Sequence, residues 1–194
     1  MMDFFTRCCK KFSLALLAMS LGFAPHARAE GIEIRNADLV PVENGYQLHA
    51  DFGIDFPNEV EDALNKGVPL SFLVEFQLVR PREYWFDREI TTKTQRIQLR
   101  YHALSRQYLM NEGAHQKSFA SLEEAMEELS RLRGWEVFTK SDIESGENYV
   151  ASLRFRLDLS RLPKALQVEA LSSEKWTLVS ERYRWTPGLQ HDGK

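Results

Sequence analysis

The chain has 194 residues, with 25 basic and 28 acidic side chains and a formal net charge of −3 at pH 7. This length fits one ordinary domain. The acidic balance argues against nonspecific nucleic-acid binding, because such binding depends on neutralising phosphates with basic side chains. We therefore expect a single domain with no nucleic-acid partner.

The first 29 residues have the pattern of a secretory signal peptide. A basic start precedes an apolar run over residues 12–24, and Ala27-Arg28-Ala29 then matches a small-x-small cleavage site. The apolar run is shorter than the roughly 20 residues that a membrane-spanning helix needs. The pattern predicts cleavage after Ala29, a periplasmic location and no membrane span after cleavage. The alternative interpretation is an uncleaved N-terminal anchor.

Both cysteines, Cys8 and Cys9, lie before the apolar run, whereas a lipoprotein cysteine would follow it. The processed chain would therefore contain no cysteine, and its 21 basic and 27 acidic residues would give a formal charge of −6. We expect neither disulfide bonds nor thiolate chemistry. The fold must be stabilised by its own apolar core, which a chain of this length can form.

The processed chain opens with a predicted hairpin. Apolar residues alternate with polar ones from Ile32, and again over the longer stretch 46–56. Asn44-Gly45 lies between the two stretches and suits a tight turn, because both residues tolerate positive φ. Period-two alternation on both sides of such a turn indicates two antiparallel strands.

A short helix and a strand are predicted next. Asn58 is a candidate N-cap, and Gly67 has the position of a helix-ending glycine. Residues 70–79 then alternate strictly, with one wholly apolar face, and Pro81 ends this strand because it has no amide to donate. Three consecutive aromatic residues follow at 84–86, and they cannot all point inward from a strand.

The second half of the chain predicts further strands and two helices. Residues 88–101 and 108–109 have strand character. Ser121 and Glu124 form a capping box, which predicts the start of a helix. We expect Leu132 on the apolar face of this helix and its end at Gly134. Further segments are predicted as follows: strands at 135–138, 149–159 and 176–185, and a short helix or turn at 160–171 with apolar contacts from Leu162, Leu166 and Val168.

Six to eight strands, few helices and no βαβ alternation favour antiparallel sheets. We predict a mainly β fold, an antiparallel β-sandwich-like domain over residues 30–187 with two or three short inserted helices, followed by a disordered tail at 188–194. The alternative is an α+β antiparallel sheet with helices on one face. We expect the core to include Phe52, Phe72, Phe76, Leu153 and Phe155.

The sequence assigns no catalytic residue, no metal ligand and no cofactor. His49, Asp51 and Asp55 share the polar face of one strand, but a solvated face is the preferred interpretation over a metal site. Glu75 and Glu136 have apolar sequence neighbours, where a carboxylate could become a general acid, although pairing with arginine is the preferred alternative. Ser71 and Ser180 lie within strand patterns and are interpreted as structural.

One zone combines basic and aromatic side chains. Arg80, Arg82, Tyr84, Trp85 and Arg88 lie within nine residues of each other in an otherwise acidic protein. Arginine and aromatic residues are enriched at interface hot spots, so we identify these five residues as a candidate binding surface. The interpretation that the sequence alone favours is that the aromatic residues belong to the core and the arginines only solvate a strand.

Several segments together resemble a proteobacterial exported family catalogued as a domain of unknown function (number 4390). The matching segments are Gly67-Val68-Pro69-Leu70-x-Phe72, Tyr84-Trp85-x-Asp87, Leu99-x-Tyr101, Phe119-x-Ser121-Leu122-x-x-Ala125, Leu157-Asp158-x-x-x-Leu162-Pro163 and Trp176-x-Leu178-x-Ser180. The resemblance covers nearly the whole processed chain. It implies a periplasmic protein of Gram-negative bacteria, often encoded beside a two-component sensor kinase of the nitrogen-regulation type, and it gives no catalytic residue.

We therefore expect a noncatalytic binding or accessory module, with the periplasmic region of a sensor kinase as a candidate partner. Two alternatives from other functional classes stay open. One is a small-ligand carrier with an apolar pocket between sheets, and the other is a small hydrolase with a dispersed site on the His49 face. Whether the protein is an enzyme is not decided by the sequence, although a noncatalytic role is preferred.

Overall fold

A computed structural model describes residues 31–189 of the chain. The predicted signal peptide with its cleavage site and the end of the predicted tail, residues 190–194, lie outside this range. The start of that tail is described, and there Leu189 packs against the core.

The described residues form nine strands and three α-helices. The strands are β1 (Gly31–Pro41), β2 (Gly45–Asp55), β3 (Leu70–Arg80), β4 (Arg88–His102), β5 (Gln107–Glu112), β6 (His115–Phe119), β7 (Arg131–Thr139), β8 (Val150–Leu157) and β9 (Tyr183–Trp185). The helices are α1 (Asn58–Asn65), α2 (Leu122–Leu129) and α3 (Lys164–Ser172). Short 3₁₀ turns occur at Lys140–Asp142, Leu159–Arg161 and Glu174–Trp176.

The strands build two antiparallel sheets. The small sheet has the order β1-β2-β7, and the large sheet has the order β6-β5-β4-β3-β8-β9. Phe52 of the small sheet lies 4.5 Å from Phe155 of the large sheet between ring centroids, and Phe76 lies 6.3 Å from Phe138. The core therefore lies between the sheets. The prediction of an antiparallel, sandwich-like, mainly β domain with short inserted helices is confirmed.

Strand β3 is central to the large sheet, with β4 on one side and β8 on the other. Its predicted inward residues have no solvent exposure, as expected from period-two alternation in a half-buried strand. The five predicted core residues are all buried. Pro81 follows the last residue of β3, as predicted.

The β1–β2 hairpin is confirmed, with Asn44-Gly45 at its turn. The amide of Val42 donates to the carbonyl oxygen of Gly45 over 2.9 Å. A side chain at Gly45 would collide with the carbonyl oxygen of Phe138 on the neighbouring strand β7. Glycine is therefore required here by the close approach of two backbones.

Helix α1 ends as predicted but does not begin as predicted. Pro57 occupies the N-cap position with extended backbone, and Asn58 is the first helical residue, so the prediction of Asn58 as the cap is wrong. At the other end Gly67 has φ of +87°, and the amides of Gly67 and Val68 donate to the carbonyls of Leu64 and Ala63. These two bonds form a Schellman motif, which satisfies carbonyls that the helix end leaves open.

The prediction that the second helix ends at Gly134 is wrong. Ser121 caps α2 by accepting from the amide of Glu124, but α2 ends at Leu129. Leu132 is buried in strand β7, where it pairs with Ala50 of β2. Gly134 has φ of +70° where the β2–β7 register shifts. The segment after Leu129 therefore pairs with β2 as a strand and does not continue the helix. Gly134 allows a β-bulge in that strand and does not end a helix.

Three further expectations differ from the structure. Of the predicted last strand, Tyr183–Trp185 pairs with β8 as β9 and Val179 makes an isolated bridge to Arg156 of β8. Trp176 lies in a 3₁₀ turn and is buried. Val168 on α3 is exposed, although it was expected to be an apolar contact. Strand β6 was not predicted, because its sequence contains no apolar alternation. For the last strand and for β6, the pairing partner, and not the local pattern, decides the conformation.

Candidate binding surface

The connection between β3 and β4 carries three exposed aromatic side chains. Tyr84 is 93% exposed, Trp85 is 75% exposed and Phe86 is 87% exposed. We refer to residues 81–87, which make this connection, as the aromatic loop. The interpretation that the sequence favoured, in which these aromatic residues belong to the core, is wrong, because all three side chains are exposed.

The backbone around the aromatic loop explains why it leaves the sheet. Arg80 and Arg88 are the last residues that pair between β3 and β4. Pro81 comes next and has no amide with which to extend the ladder. The seven residues 81–87 therefore form a bend beyond the end of the sheet, and the aromatic side chains have no second sheet against which to pack.

Acidic side chains hold the base of the aromatic loop. The guanidinium of Arg80 donates to Glu144 over 2.8 Å and to Glu147 over 2.5 Å, and Arg88 lies 3.4 Å from the same Glu144. Burial lowers the pKa of Arg80, but the hydrogen bond to Glu144 and the charges of both glutamates outweigh it, so the pKa is raised above its usual value. These ion pairs tie the loop base to the connection between β7 and β8.

The five predicted surface residues thus occupy two positions. Arg80 and Arg88 face each other at the loop base and share Glu144, whereas Arg82, Tyr84 and Trp85 are exposed on the loop itself. Sequence reasoning missed Glu144 and Glu147. These residues are more than 60 positions from Arg80 along the chain, and their own segment reads only as a polar turn.

The other sequence candidates are not brought together into one site. Asp51 forms an ion pair with Arg133, and Glu75 forms one with Arg156 at 2.8 Å. Glu136 is exposed on β7, which corrects the expectation of apolar surroundings for its carboxylate. Within residues 31–189, no group of three or more His, Cys, Asp or Glu side chains is arranged to hold a metal ion.

The two buried strand serines have backbone roles. The Oγ of Ser180 accepts from the amide of Phe155 over 3.0 Å, and the amide of Ser180 donates to the carbonyl of Phe155. Ser71 is buried on β3, where its carbonyl accepts from the amide of Asp158. These hydrogen bonds support the interpretation of both serines as structural residues.

Two antiparallel sheets and an exposed aromatic loop define this protein as a β-sandwich-like domain with a projecting surface loop. The chain belongs to the family described as Domain of unknown function (DUF4390), whose sequence pattern matches residues 29–186. Neither a search of curated proteins nor a search of solved structures found a significant match. Among the helices of residues 31–189, none has the length and apolar character needed to cross a bilayer.

Proposed function

We propose that this protein is a noncatalytic binding module that docks on a protein partner through the aromatic loop and the arginines beside it. The observation that carries the proposal is the exposure of Tyr84, Trp85 and Phe86 in one loop. Exposed clusters of large apolar side chains are uncommon on soluble proteins and are typical of interaction sites. Tyr, Trp and Arg are also the residues enriched at binding hot spots.

The ion pairs at the loop base support the same proposal. Arg80 is fixed by two glutamates and Arg88 by one of them, so the stems of the loop are anchored to a second connection. An anchored loop loses less conformational entropy when it binds than a free one. Arg82, which is exposed between the anchored base and the aromatic residues, would supply a charged contact at the rim.

The cellular setting of the proposal comes from the sequence. The signal-peptide pattern of residues 1–29 supports export, and a periplasmic binding module is our proposal for the exported chain. The resemblance to exported proteobacterial proteins encoded near sensor kinases supports the periplasmic region of such a kinase as the partner.

The test is a crosslinking pulldown from the periplasm with the exported chain and a Trp85→Ala/Arg82→Ala variant. The matched control is Leu104→Ala/Arg106→Asn. Leu104 is 93% exposed and Arg106 has φ of +53°, which asparagine tolerates, and both lie in the turn at the opposite end of β4. We expect the loop variant to lose a partner that the parent chain and the control variant both retain. A partner captured equally by all three chains would refute the aromatic loop as the interface.

The two alternatives have less support in the contacts. A hydrolase on the His49 face would need a carboxylate to orient the histidine, but the nearby Asp51 is engaged by Arg133. For a ligand carrier, a cavity of about 300 Å³ lies at the β1–β2 turn. Charged and amide side chains line it, including Glu43, Gln47 and Lys93, which differs from the apolar pocket expected between the sheets.

A further inference from the structure

The outward face of the large sheet is rich in arginine. Six arginines share this face, and we name them the arginine face: Arg96 and Arg100 on β4, Arg154 and Arg156 on β8, and Arg182 and Arg184 at β9. Their orientation follows from the strand pairing. The outward Leu73 pairs with Arg96 and with Arg156, the outward Glu75 pairs with Arg154, and Ser152 pairs with Arg184.

The remaining two arginines are placed by their neighbours. Arg100 follows Leu99, which is fully buried on the inward side, so Arg100 itself points outward and is exposed. The guanidinium of Arg182 lies 3.4 Å from the hydroxyl of the outward Ser152. The six cations therefore extend across β4, β8 and β9, with β3 between the first two.

Glu75, Asp158 and Glu89 lie on this face and Glu181 borders it next to Arg182, so four carboxylates do not balance six arginines. Glu75 pairs with Arg156, Asp158 pairs with Arg96 at 3.7 Å, and Glu89 accepts a hydrogen bond from Gln77. Within residues 31–189, no ion pair joins a carboxylate to the other four arginines, which are Arg100, Arg154, Arg182 and Arg184. The excess is positive, although the processed chain would carry a formal charge of −6.

The arginine face is a broad surface with its cations held apart from one another. Leu73 lies between Arg96 and Arg156 and is only 6% exposed, although it points away from the core. Arginine stems that lie along apolar surface and keep their heads in water explain this burial. Arg96 and Arg156 are two strands apart, which corresponds to about 10 Å across a sheet.

We propose that the arginine face docks on a bilayer surface that carries anionic phosphate headgroups. A guanidinium binds phosphate oxygens through two parallel hydrogen bonds, and all six cations of this face are arginines. An acidic peptide would be expected to lie in a groove, but no residue of this face lines the cavities of about 300 and 220 Å³. A charge array that comes from three strands and extends across β3 between two of them is complementary to a plane of headgroups.

The test measures binding to vesicles by cosedimentation. The protein is the processed form purified from cells, with its N terminus read by mass spectrometry, because an uncleaved apolar segment would bind lipid by itself. One set of vesicles contains equal parts of phosphatidylcholine and phosphatidylglycerol, and the other contains phosphatidylcholine alone. The variant is Arg100→Gln/Arg154→Gln/Arg184→Gln, which removes three cations that have no ion pair among the described residues.

The matched control is Lys66→Gln/Arg161→Gln/Lys164→Gln, which removes the same charge from exposed sites on the helical end of the domain. A basic residue near an anionic leaflet contributes roughly a fivefold gain in binding, so we expect the arginine-face variant to lose about 100-fold. The control variant should lose much less. Binding of the parent chain should also weaken as the salt concentration rises, because exposed charges are screened.

Three outcomes would overturn the proposal. The first is equal binding to anionic and neutral vesicles, and the second is equal loss in the arginine-face and control variants. The third is capture of soluble polyglutamate, dependent on the arginine face, without any vesicle binding, which would assign the face to an acidic protein. The Trp85→Ala/Arg82→Ala variant leaves the arginine face intact, so failure here does not bear on the aromatic loop.

Discussion

Replacing Phe72 by alanine tests the assignment of β3 as the centre of the core. Phe72 has no solvent exposure, and its ring centroid lies 5.8 Å from that of Phe56 and 5.6 Å from that of Phe155. Truncation of a buried phenylalanine costs about 3–5 kcal/mol of unfolding free energy. Each aromatic pair adds about 0.5–1.5 kcal/mol beyond burial. With two such pairs lost, we expect a cost in the upper half of that range, about 4–5 kcal/mol.

The assay is equilibrium unfolding in urea, followed by tryptophan fluorescence, because Trp176 is buried and Trp185 is half-buried in the folded state. The control is Phe86→Ala, which deletes the same side chain from a position that is 87% exposed. A surface substitution of this kind should change the unfolding free energy by no more than about 0.5 kcal/mol. If the two variants were equally stable, the inward assignment of β3 would be refuted.

Three smaller perturbations test local features. Gly67→Ala should lower the unfolding free energy by about 1–2 kcal/mol, because φ of +87° is strained for any residue with a Cβ; unchanged urea unfolding would contradict this. A hydrogen bond from Lys175 lowers the pKa of Glu59 below its usual 4.5, so this ion pair contributes stability above that pH and loses it as pH falls through the lower folded-state pKa. In an NMR titration, Lys175→Met should return the Glu59 pKa towards 4.5, and an unmoved titration would argue against the pair. Glu144→Gln/Glu147→Gln should speed amide exchange at the paired loop base, Val79, Arg80, Arg88 and Glu89, while the exchange of core amides stays the same. Equal protection of the loop base in both chains would show that these glutamates do not anchor it.

The sequence predicts the strands that have one apolar face. Its predictions of secondary structure are wrong where pairing between distant segments decides the conformation. The alternation of β3 predicts the strand, and the glycine after α1 predicts the end of the helix. Both predictions succeed because the physical cause lies within the local sequence. The boundary between α2 and β7 was not predictable in the same way. Leu132 continues the helical spacing of the preceding apolar residues, and only its partner Ala50 on β2 shows that it belongs to a strand.

The residues of the candidate binding surface could be predicted from the sequence, but the contacts that hold them in place could not. A run of three aromatic residues after a proline indicates a loop outside the sheet, and the arginines around it indicate binding chemistry. The anchoring of Arg80 by Glu144 and Glu147 depends on a tertiary contact between distant segments. The arginine face was equally hidden, because its six members come from three strands that become neighbours only in the folded sheet.

Strand β6 gives the large sheet a boundary that resists further growth. An edge strand presents unpaired amides and carbonyls, and so it is a template onto which another chain can add. In β6 the side chains of His115, Gln116, Lys117 and Ser118 are all exposed and polar. A second chain that added here would gain hydrogen bonds but bury little apolar surface, and it would have to desolvate a lysine. Because its residues are polar, β6 was not predicted from the sequence pattern. The same polar composition protects the protein from fibrillar assembly at that edge.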